Sequence, residues 1–130
     1  MTYPANIYLG THAVIWLENG ELHKFGCLSL DYLANCHLLI SPIVKLELQY
    51  LHQIKSLNEN SDTIIGNIAK KVSFSVCKKS WIDVVNVAID CYFSRDVFDR
   101  LIVAHAMLDG YFLISKDHKI HEFYVKTIWR

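Results

Sequence analysis

The sequence lacks an excess of either charge. Its 130 residues include 13 Lys+Arg and 13 Asp+Glu, so the formal net charge at pH 7 is zero. Because there is no overall basic field, the chain has no general electrostatic attraction for nucleic acid. This argues against a simple electrostatic binding module, although an enzyme could still contact nucleic acid locally.

Several other signals are also missing. No apolar stretch approaches the roughly 20 residues of a membrane-spanning helix, and residues 1–10 lack the basic segment and long apolar run of a signal peptide. No internal repeat, low-complexity tract or linker interrupts the chain. The cysteines form no CxxC pair, which argues against a zinc ribbon or a redox motif; they are Cys27, Cys36, Cys77 and Cys91. We therefore expect one cytoplasmic domain over residues 1–130, with buried free thiols and no membrane contact.

Short apolar runs alternate with amphipathic segments along the whole chain. The runs are typical of buried parallel strands and lie at 7–9, 37–41, 73–77, 111–114 and 125–129. Helices are expected at about 11–17, 28–36, 42–54, 63–71, 81–90 and 96–108, with a loose turn at 118–123. Such alternation predicts a parallel α/β sheet covered by helices.

Four acidic residues occupy positions typical of a functional site. Asp96 and Asp99 are three residues apart at a helix start, so their carboxylates share roughly one face. Asp117 follows the strand at 111–114, and open parallel sheets bind ligands at the carboxyl ends of strands. Glu47 lies on an otherwise apolar and aromatic helix face.

Converging carboxylates repel each other, and a hard cation such as Mg²⁺ or Mn²⁺ makes such a cluster tolerable. A metal held in this way activates water and stabilises a phosphoryl transition state. Each acid also has a local interpretation. Asp96 and Asp99 could favour a helix N-terminus, Asp117 could be a turn residue, and Glu47 could be solvated.

Four segments resemble the PIN domain, specifically the VapC-type toxin ribonucleases of toxin–antitoxin pairs. They are YLGTHAVIW at 8–16, SPIVKLEL at 41–48, DVFDRLIVAHA at 96–106 and LISKD at 113–117. Each segment alone is a weak signal. Their order and spacing, in a chain of this length, make the resemblance strong and extend it over nearly the whole sequence.

The resemblance implies a three-layer α/β/α sandwich with a five-stranded parallel sheet of order 3-2-1-4-5. It also implies an endoribonuclease dependent on Mg²⁺ or Mn²⁺, with an RNA substrate, a cognate antitoxin and a homodimeric toxin. By this resemblance Glu47, Asp99 and Asp117 are metal-site acids, with Asp96 as a less certain fourth. Ser115 either bonds a metal-bound water or phosphate or is a plain polar residue at a strand end.

One departure from the family pattern concerns Gly10, which stands where the family has its first catalytic Asp. Glycine has no ligand atom, so this chain is expected to be weakly active or inactive. Gly10 is either an inactivating change in a toxin or a mark of natural decay, and the otherwise intact site favours the first. The alternative function is a decayed PIN-like module that binds antitoxin or RNA without cutting. A receiver-like domain would need an acidic pair directly after strand one, and this chain has none there.

Two residues beside the predicted site have open roles. Arg100 could contact phosphate or form a salt bridge with Glu47 or Asp96. His12, close to Gly10, could approach substrate, but a packing or hydrogen-bonding role at the helix start is favoured.

Other basic residues are also ambiguous. Lys45, Lys116 and Lys119 either flank the pocket and attract RNA phosphates or lie on a solvated face. His118 and His121 are three apart but lack a third ligand with suitable spacing, so we expect surface residues rather than a metal site.

Overall fold

Five parallel strands form one sheet in the computed structural model, which describes residues 2–130. The strands are β1 (Asn6–Leu9), β2 (His37–Ile40), β3 (Phe74–Val76), β4 (Leu113–Ile114) and β5 (Thr127–Ile128). Their order in the sheet is β3-β2-β1-β4-β5, and every neighbouring pair is parallel. The predicted α/β class and the predicted strand order are therefore confirmed.

Helices connect the strands. They are α1 (Thr11–Glu18), α2 (Cys27–Asn35), α3 (Pro42–Gln53), α4 (Ser61–Lys71), α5 (Trp81–Ile89), α6 (Val97–Asp109) and α7 (His118–Phe123), with a 3₁₀ turn at Leu22–Lys24. Crossovers between parallel strands are right-handed, so α1 to α4 cover one face of the sheet and α5 to α7 cover the other. Within residues 2–130, none of these helices has both the length and the apolar character needed to cross a bilayer.

The core lies along the central strands. Side chains of both faces are fully buried in β1, where Ile7, Tyr8 and Leu9 have no exposed surface, and in β4, where Leu113 and Ile114 have none. Burial on both faces explains why these strands have continuous apolar sequences rather than an alternating pattern.

Several predicted boundaries are wrong: α4 begins at Ser61 rather than Thr63, and the last strand begins at Thr127 rather than Val125. Residues 118–123 form helix α7 rather than a loose turn, because the Asp117 side chain accepts hydrogen bonds from the Lys119 and Ile120 amides. The preceding strand begins at Leu113 rather than Tyr111. Gly110 ends α6 in the left-handed conformation (φ 69°), and the Tyr111 amide still donates to a carbonyl of that helix.

The position of β1 beside β4 places a crevice at the carboxyl edge of the sheet. The chain leaves β1 toward β2 on one side and enters β4 on the other, so β1 and β4 flank the topological switch point, where open α/β sheets bind ligands. The ladder between them extends one residue beyond β1, since the Gly10 amide donates to the Ile114 carbonyl at 3.0 Å.

Candidate active site

A cavity of about 440 Å³ opens at this switch point. Four carboxylate side chains line it, and they come from α3, from the start of α6 and from the end of β4: Glu47, Asp96, Asp99 and Asp117. Gly10, Ser115 and His12, which the sequence also predicted to lie at the site, are on the same wall. The fold thus brings together residues that are up to 107 positions apart in the chain.

A buried hydrogen bond fixes the start of α3 against α6. The Ser41 hydroxyl accepts from the Ile43 amide and lies 2.8 Å from His105 Nδ1 in the middle of α6. His105 is fully buried, and burial lowers the pKa of its imidazole, so the ring is neutral at pH 7. This contact holds the helices that carry Glu47 and Asp99 together above the sheet edge.

Asp96 and Asp117 have a local structural role as well as a place in the cavity. Asp96 caps α6, with its Oδ1 accepting from the Phe98 amide at 2.8 Å and more weakly from the Asp99 amide at 3.4 Å. Asp117 caps α7 in the same way. Each carboxylate uses Oδ1 for capping, which leaves Oδ2 for another partner.

Glu47 is held by a residue that was not singled out in the sequence. The Thr11 hydroxyl, at the first position of α1, donates a short hydrogen bond to Glu47 Oε1. Burial raises the pKa of Glu47, and the Thr11 hydrogen bond opposes that shift. Thr11 therefore orients the carboxylate and favours its ionised form.

Asp99 has the most perturbed carboxylate of the cavity. Burial, together with the neighbouring charges of Asp96, Asp117 and Glu47, raises its pKa to about 7, against a smaller opposing effect of Lys119. A carboxyl group that titrates near neutral pH among other acids typically belongs to a functional site. Within residues 2–130, Asp99 forms no ion pair with a Lys, Arg or His side chain.

The chemistry of these donors fits a hard divalent cation. Carboxylate and hydroxyl oxygens are the ligands that Mg²⁺ and Mn²⁺ prefer, and a cation would offset the repulsion that raises the pKa of Asp99. The arrangement is nevertheless open. Across residues 2–130, no three His, Cys, Asp or Glu side chains lie close enough together to hold a metal ion as they are placed.

Gly10 lines the cavity directly before α1. Its backbone is extended (φ −73°, ψ 169°), a conformation that any residue adopts. A Cβ built at this position would lie 3.5 Å from the Ile114 carbonyl oxygen and 3.9 Å from Ser115 Oγ, which are ordinary contacts. Nothing in the backbone therefore requires glycine here, and the cavity wall has room for a Cβ atom.

Ser115 faces Gly10 across the β1–β4 seam. Its hydroxyl accepts from the Asp117 amide at 3.2 Å, and its carbonyl oxygen lies 2.7 Å from His121 Nε2. Ser115 thus shapes the turn that presents Asp117, while its hydroxyl remains on the cavity wall.

Arg100 and Lys45 lie away from the cavity. The Arg100 guanidinium donates to the carbonyls of Ala88 and Ile89 at the end of α5, not to Glu47 or Asp96. The Lys45 ammonium pairs with Asp62 at 3.0 Å. Both positive charges are engaged in holding helices.

Lys116 and His12 remain at the mouth of the cavity, beside a tryptophan. The Lys116 ammonium lies 4.8 Å from the centre of the Trp16 ring, and the His12 ring packs 5.7 Å from the same indole. A cation over an indole face is stabilised without an acidic partner. His118 also lines the cavity, which the sequence did not indicate, because the unrecognised helix α7 begins at this residue.

Comparison of the fold with solved structures identified toxin–antitoxin proteins. One match is VapBC2 from Rickettsia felis bound to a DNA fragment from their promoter (TM-score 0.65, 19% identity, covering 95% of this chain and 96% of that chain). A second is VapBC-1 from nontypeable Haemophilus influenzae (TM-score 0.65, 17% identity, 96% of each chain). A third is a toxin–antitoxin complex from Klebsiella pneumoniae (TM-score 0.61, 15% identity, 94% of this chain and 95% of that chain).

These matches show the fold over nearly the full chain, and the fold is PIN-like, as the sequence predicted. No protein-family model matches the sequence, and no curated protein matches it. The resemblance is therefore carried by the topology and by the four short segments around the cavity.

Proposed function

We propose that the chain is the toxin of a toxin–antitoxin pair, a metal-dependent endoribonuclease weakened by Gly10. One observation carries the proposal: Glu47, Asp96, Asp99 and Asp117 line a single cavity at the β1–β4 switch point of a PIN-like fold. Similarity in fold to toxin–antitoxin complexes over 94–96% of the chain supports the biological class.

In this proposal Glu47, Asp99 and Asp117 hold Mg²⁺ or Mn²⁺, and Asp96 is an outer acid. The ion, when bound, lowers the pKa of a coordinated water and offsets negative charge on the RNA phosphate. The chain contributes positioning: Thr11 orients Glu47, capping bonds fix Asp96 and Asp117, and the turn at Ser115 presents Asp117 to the cavity. Water would then attack phosphorus, the bond from phosphorus to one ribose oxygen would break, and that oxygen would leave as a hydroxyl group after taking up a proton.

The proposal includes partners. A cognate antitoxin that covers the cavity and a homodimer of the toxin are both implied by the resemblance. The similarity in fold to toxin–antitoxin complexes supports the antitoxin. Helix α3 offers a surface for such contacts, because it exposes an apolar stripe at four-residue spacing: Leu46, Tyr50 and Ile54 at its end. We place the protein in the cytoplasm, where RNA and antitoxin are found.

Gly10 also supports a second candidate, a PIN-like module that binds antitoxin or RNA without cutting. A chain without this carboxylate has fewer anionic ligands, and within residues 2–130 the remaining acids do not converge on one point. In the first candidate the aspartate at position 10 restores the missing ligand. In the second candidate, an aspartate at position 10 is not enough for activity, because the remaining acids would also have to move closer together.

Cleavage of a mixed RNA pool separates these candidates. The unmodified chain, Gly10→Asp and the uncharged isostere Gly10→Asn are each incubated with Mg²⁺, with Mn²⁺ and with EDTA. The nuclease proposal predicts that only Gly10→Asp cuts efficiently and that EDTA stops it. If Gly10→Asp is folded, binds a partner and leaves every RNA intact with both metals, the interaction module replaces the nuclease.

A further inference from the structure

Beside the acidic cavity lies a second cavity of about 480 Å³, and Asp96 lines both. The second cavity is formed by the loop before α6 and by the start of α7; its lining residues are Tyr92, Phe93, Ser94, Arg95, Asp96 and Lys119. We propose that it binds a nucleotide of single-stranded RNA that flanks the scissile phosphate. This inference rests on the proposed nuclease function and names a part of its substrate site.

Within the part of the chain that the structure describes, the two positive charges of this second cavity form no ion pair. Ion pairs in residues 2–130 involve Lys24, Lys45 and Lys79, whereas Arg95 and Lys119 form none. Both side chains are exposed. Unpaired cations beside four carboxylates are available for phosphates, which need positive charge to approach an acidic cavity.

The backbone at Arg95 is well fixed. The Asp96 amide donates to the Ser94 hydroxyl at 3.0 Å, and Asp96 in turn caps α6. Arg95 stands between these two hydrogen-bonded residues. On the other wall, Lys119 is in the first turn of α7, next to the Asp117 cap. The same two helix caps, Asp96 on α6 and Asp117 on α7, therefore fix the backbone next to both cations.

Aromatic side chains provide a surface for a base. Tyr92 is 81% exposed, which is unusual for a ring of this size without a partner. Next to it, Phe93 stacks on Phe123 with ring centres 4.7 Å apart and planes at 22°, and Phe123 is itself 39% exposed. Exposed rings next to cations are the combination by which proteins bind unpaired nucleotides without reading their sequence.

The positions of the charges define a path. Lys116, over Trp16, lines the acidic cavity itself, and Arg95 and Lys119 line the second cavity. A strand that passes from the carboxylates into the second cavity would have positive charge available to its phosphates in both. Duplex RNA keeps its bases stacked and cannot offer one to Tyr92.

The test measures binding of a fluorescent single-stranded RNA octamer to the unmodified chain in EDTA, by anisotropy at several salt concentrations. Because no cleavage is required, the result does not depend on the nuclease activity. The variants are Arg95→Gln, Lys119→Gln and Tyr92→Ala. Two controls lie elsewhere on the surface: Lys71→Gln at the end of α4 and Ile82→Ala on α5, where Ile82 is 63% exposed.

We expect Arg95→Gln and Lys119→Gln each to weaken binding several-fold and to reduce the slope of log K against log [salt] by about 0.7. Tyr92→Ala should weaken binding about fivefold or more without changing that slope. The controls should leave affinity and slope unchanged, and duplex RNA of the same sequence should bind more weakly.

Equal losses in the controls, no loss in the three variants, or no binding of single-stranded RNA by the folded chain would each overturn the inference. Its failure is distinguishable from that of the nuclease. An active Gly10→Asp with full affinity in the three variants rejects only the second cavity. An inactive Gly10→Asp, with the expected binding losses, rejects only the nuclease.

Discussion

The two ends of α6 each carry an aspartate, and their surroundings are opposite. At the C-terminal end, Asp109 pairs with the Lys79 ammonium, which also donates to the Tyr8 hydroxyl at 2.7 Å. At the N-terminal end, Asp99 has no ion-pair partner within residues 2–130, and burial together with three other carboxylates raises its pKa to about 7.

From helix electrostatics alone, Asp99 would be the more stabilised of the two carboxylates and Asp109 the less stabilised. An acid in the first turn of a helix is stabilised by the helix dipole, and an acid in the last turn is not. The fold supplies a lysine at the unfavourable end and gathers further acids at the favourable one. The unpaired charge of the cavity is therefore a property of this site and not of the helix, and it is the charge that the proposed cation would offset.

The largest expected effect is a difference in the rate of RNA cleavage between substitutions of Asp99 and of Asp109. In the Gly10→Asp background, Asp99→Asn should lower RNA cleavage about 100-fold or more, because it removes a charged metal ligand. Asp109→Asn in the same background should leave the rate unchanged. Initial rates at saturating Mg²⁺ measure both. An Asp99→Asn enzyme that keeps its full rate would remove Asp99 from the proposed metal site.

The next effect concerns the paired end. Lys79 contacts Asp109, and its ammonium lies 5.0 Å from the ring centres of both Tyr8 and Tyr111. Lys79→Met should therefore lower the free energy of unfolding by about 2 kcal/mol.

Urea unfolding measures this loss, with Lys71→Met on the exposed end of α4 as the control. Adding Asp109→Asn to Lys79→Met should cost less than the sum of the single changes, since the two residues form one pair. Additive losses would show that the ion pair contributes nothing.

The smallest effect is a gain of stability at the acidic end. The folded pKa of Asp99, about 7, lies above its ordinary value of 3.8, so the folded state binds the proton more tightly. The associated stabilisation is complete below pH 3.8 and is lost as pH rises through 7.

Asp99→Asn removes the ionised carboxylate, whose burial and repulsion by the other acids destabilise the folded state above pH 7. Because the side chain is only half-buried and water screens the repulsion, we expect a gain of about 1 kcal/mol at pH 8 without metal. The gain should shrink toward pH 5. Thermal unfolding at both pH values measures it, and a loss of stability at pH 8 would contradict the account.

The sequence predicted the parts of this site that depend on local pattern. Asp117 follows a buried strand, and Asp96 and Asp99 begin an apolar helix, so their places at the sheet edge were foreseeable. The Thr11–Glu47 hydrogen bond joins residues 36 positions apart and has no local signal. Helix α7 was missed because its six residues carry too little apolar periodicity to be distinguished from a turn.

Proximity in sequence to a cavity acid did not place Lys45 or Arg100 at the cavity, because the direction of a side chain on a helix also matters. Lys45 is two residues from Glu47, and residues at that spacing face different sides of a helix, which is why Lys45 pairs with Asp62 instead. Arg100 follows Asp99 directly and likewise points elsewhere, to the end of α5. The sequence alone does not tell whether the backbone at position 10 requires glycine. The structure shows that it does not.

Calorimetric titration of Mg²⁺ and Mn²⁺ into the unmodified chain, Gly10→Asp and Gly10→Asn tests the central claim most directly. The claim is that the unpaired acids form a divalent-cation site, and that this site lacks one ligand because residue 10 is glycine. We predict that Gly10→Asp binds one ion at least about tenfold more tightly than the unmodified chain, whereas Gly10→Asn resembles the unmodified chain. Equal affinities in all three proteins, or no binding by a folded Gly10→Asp, would contradict it.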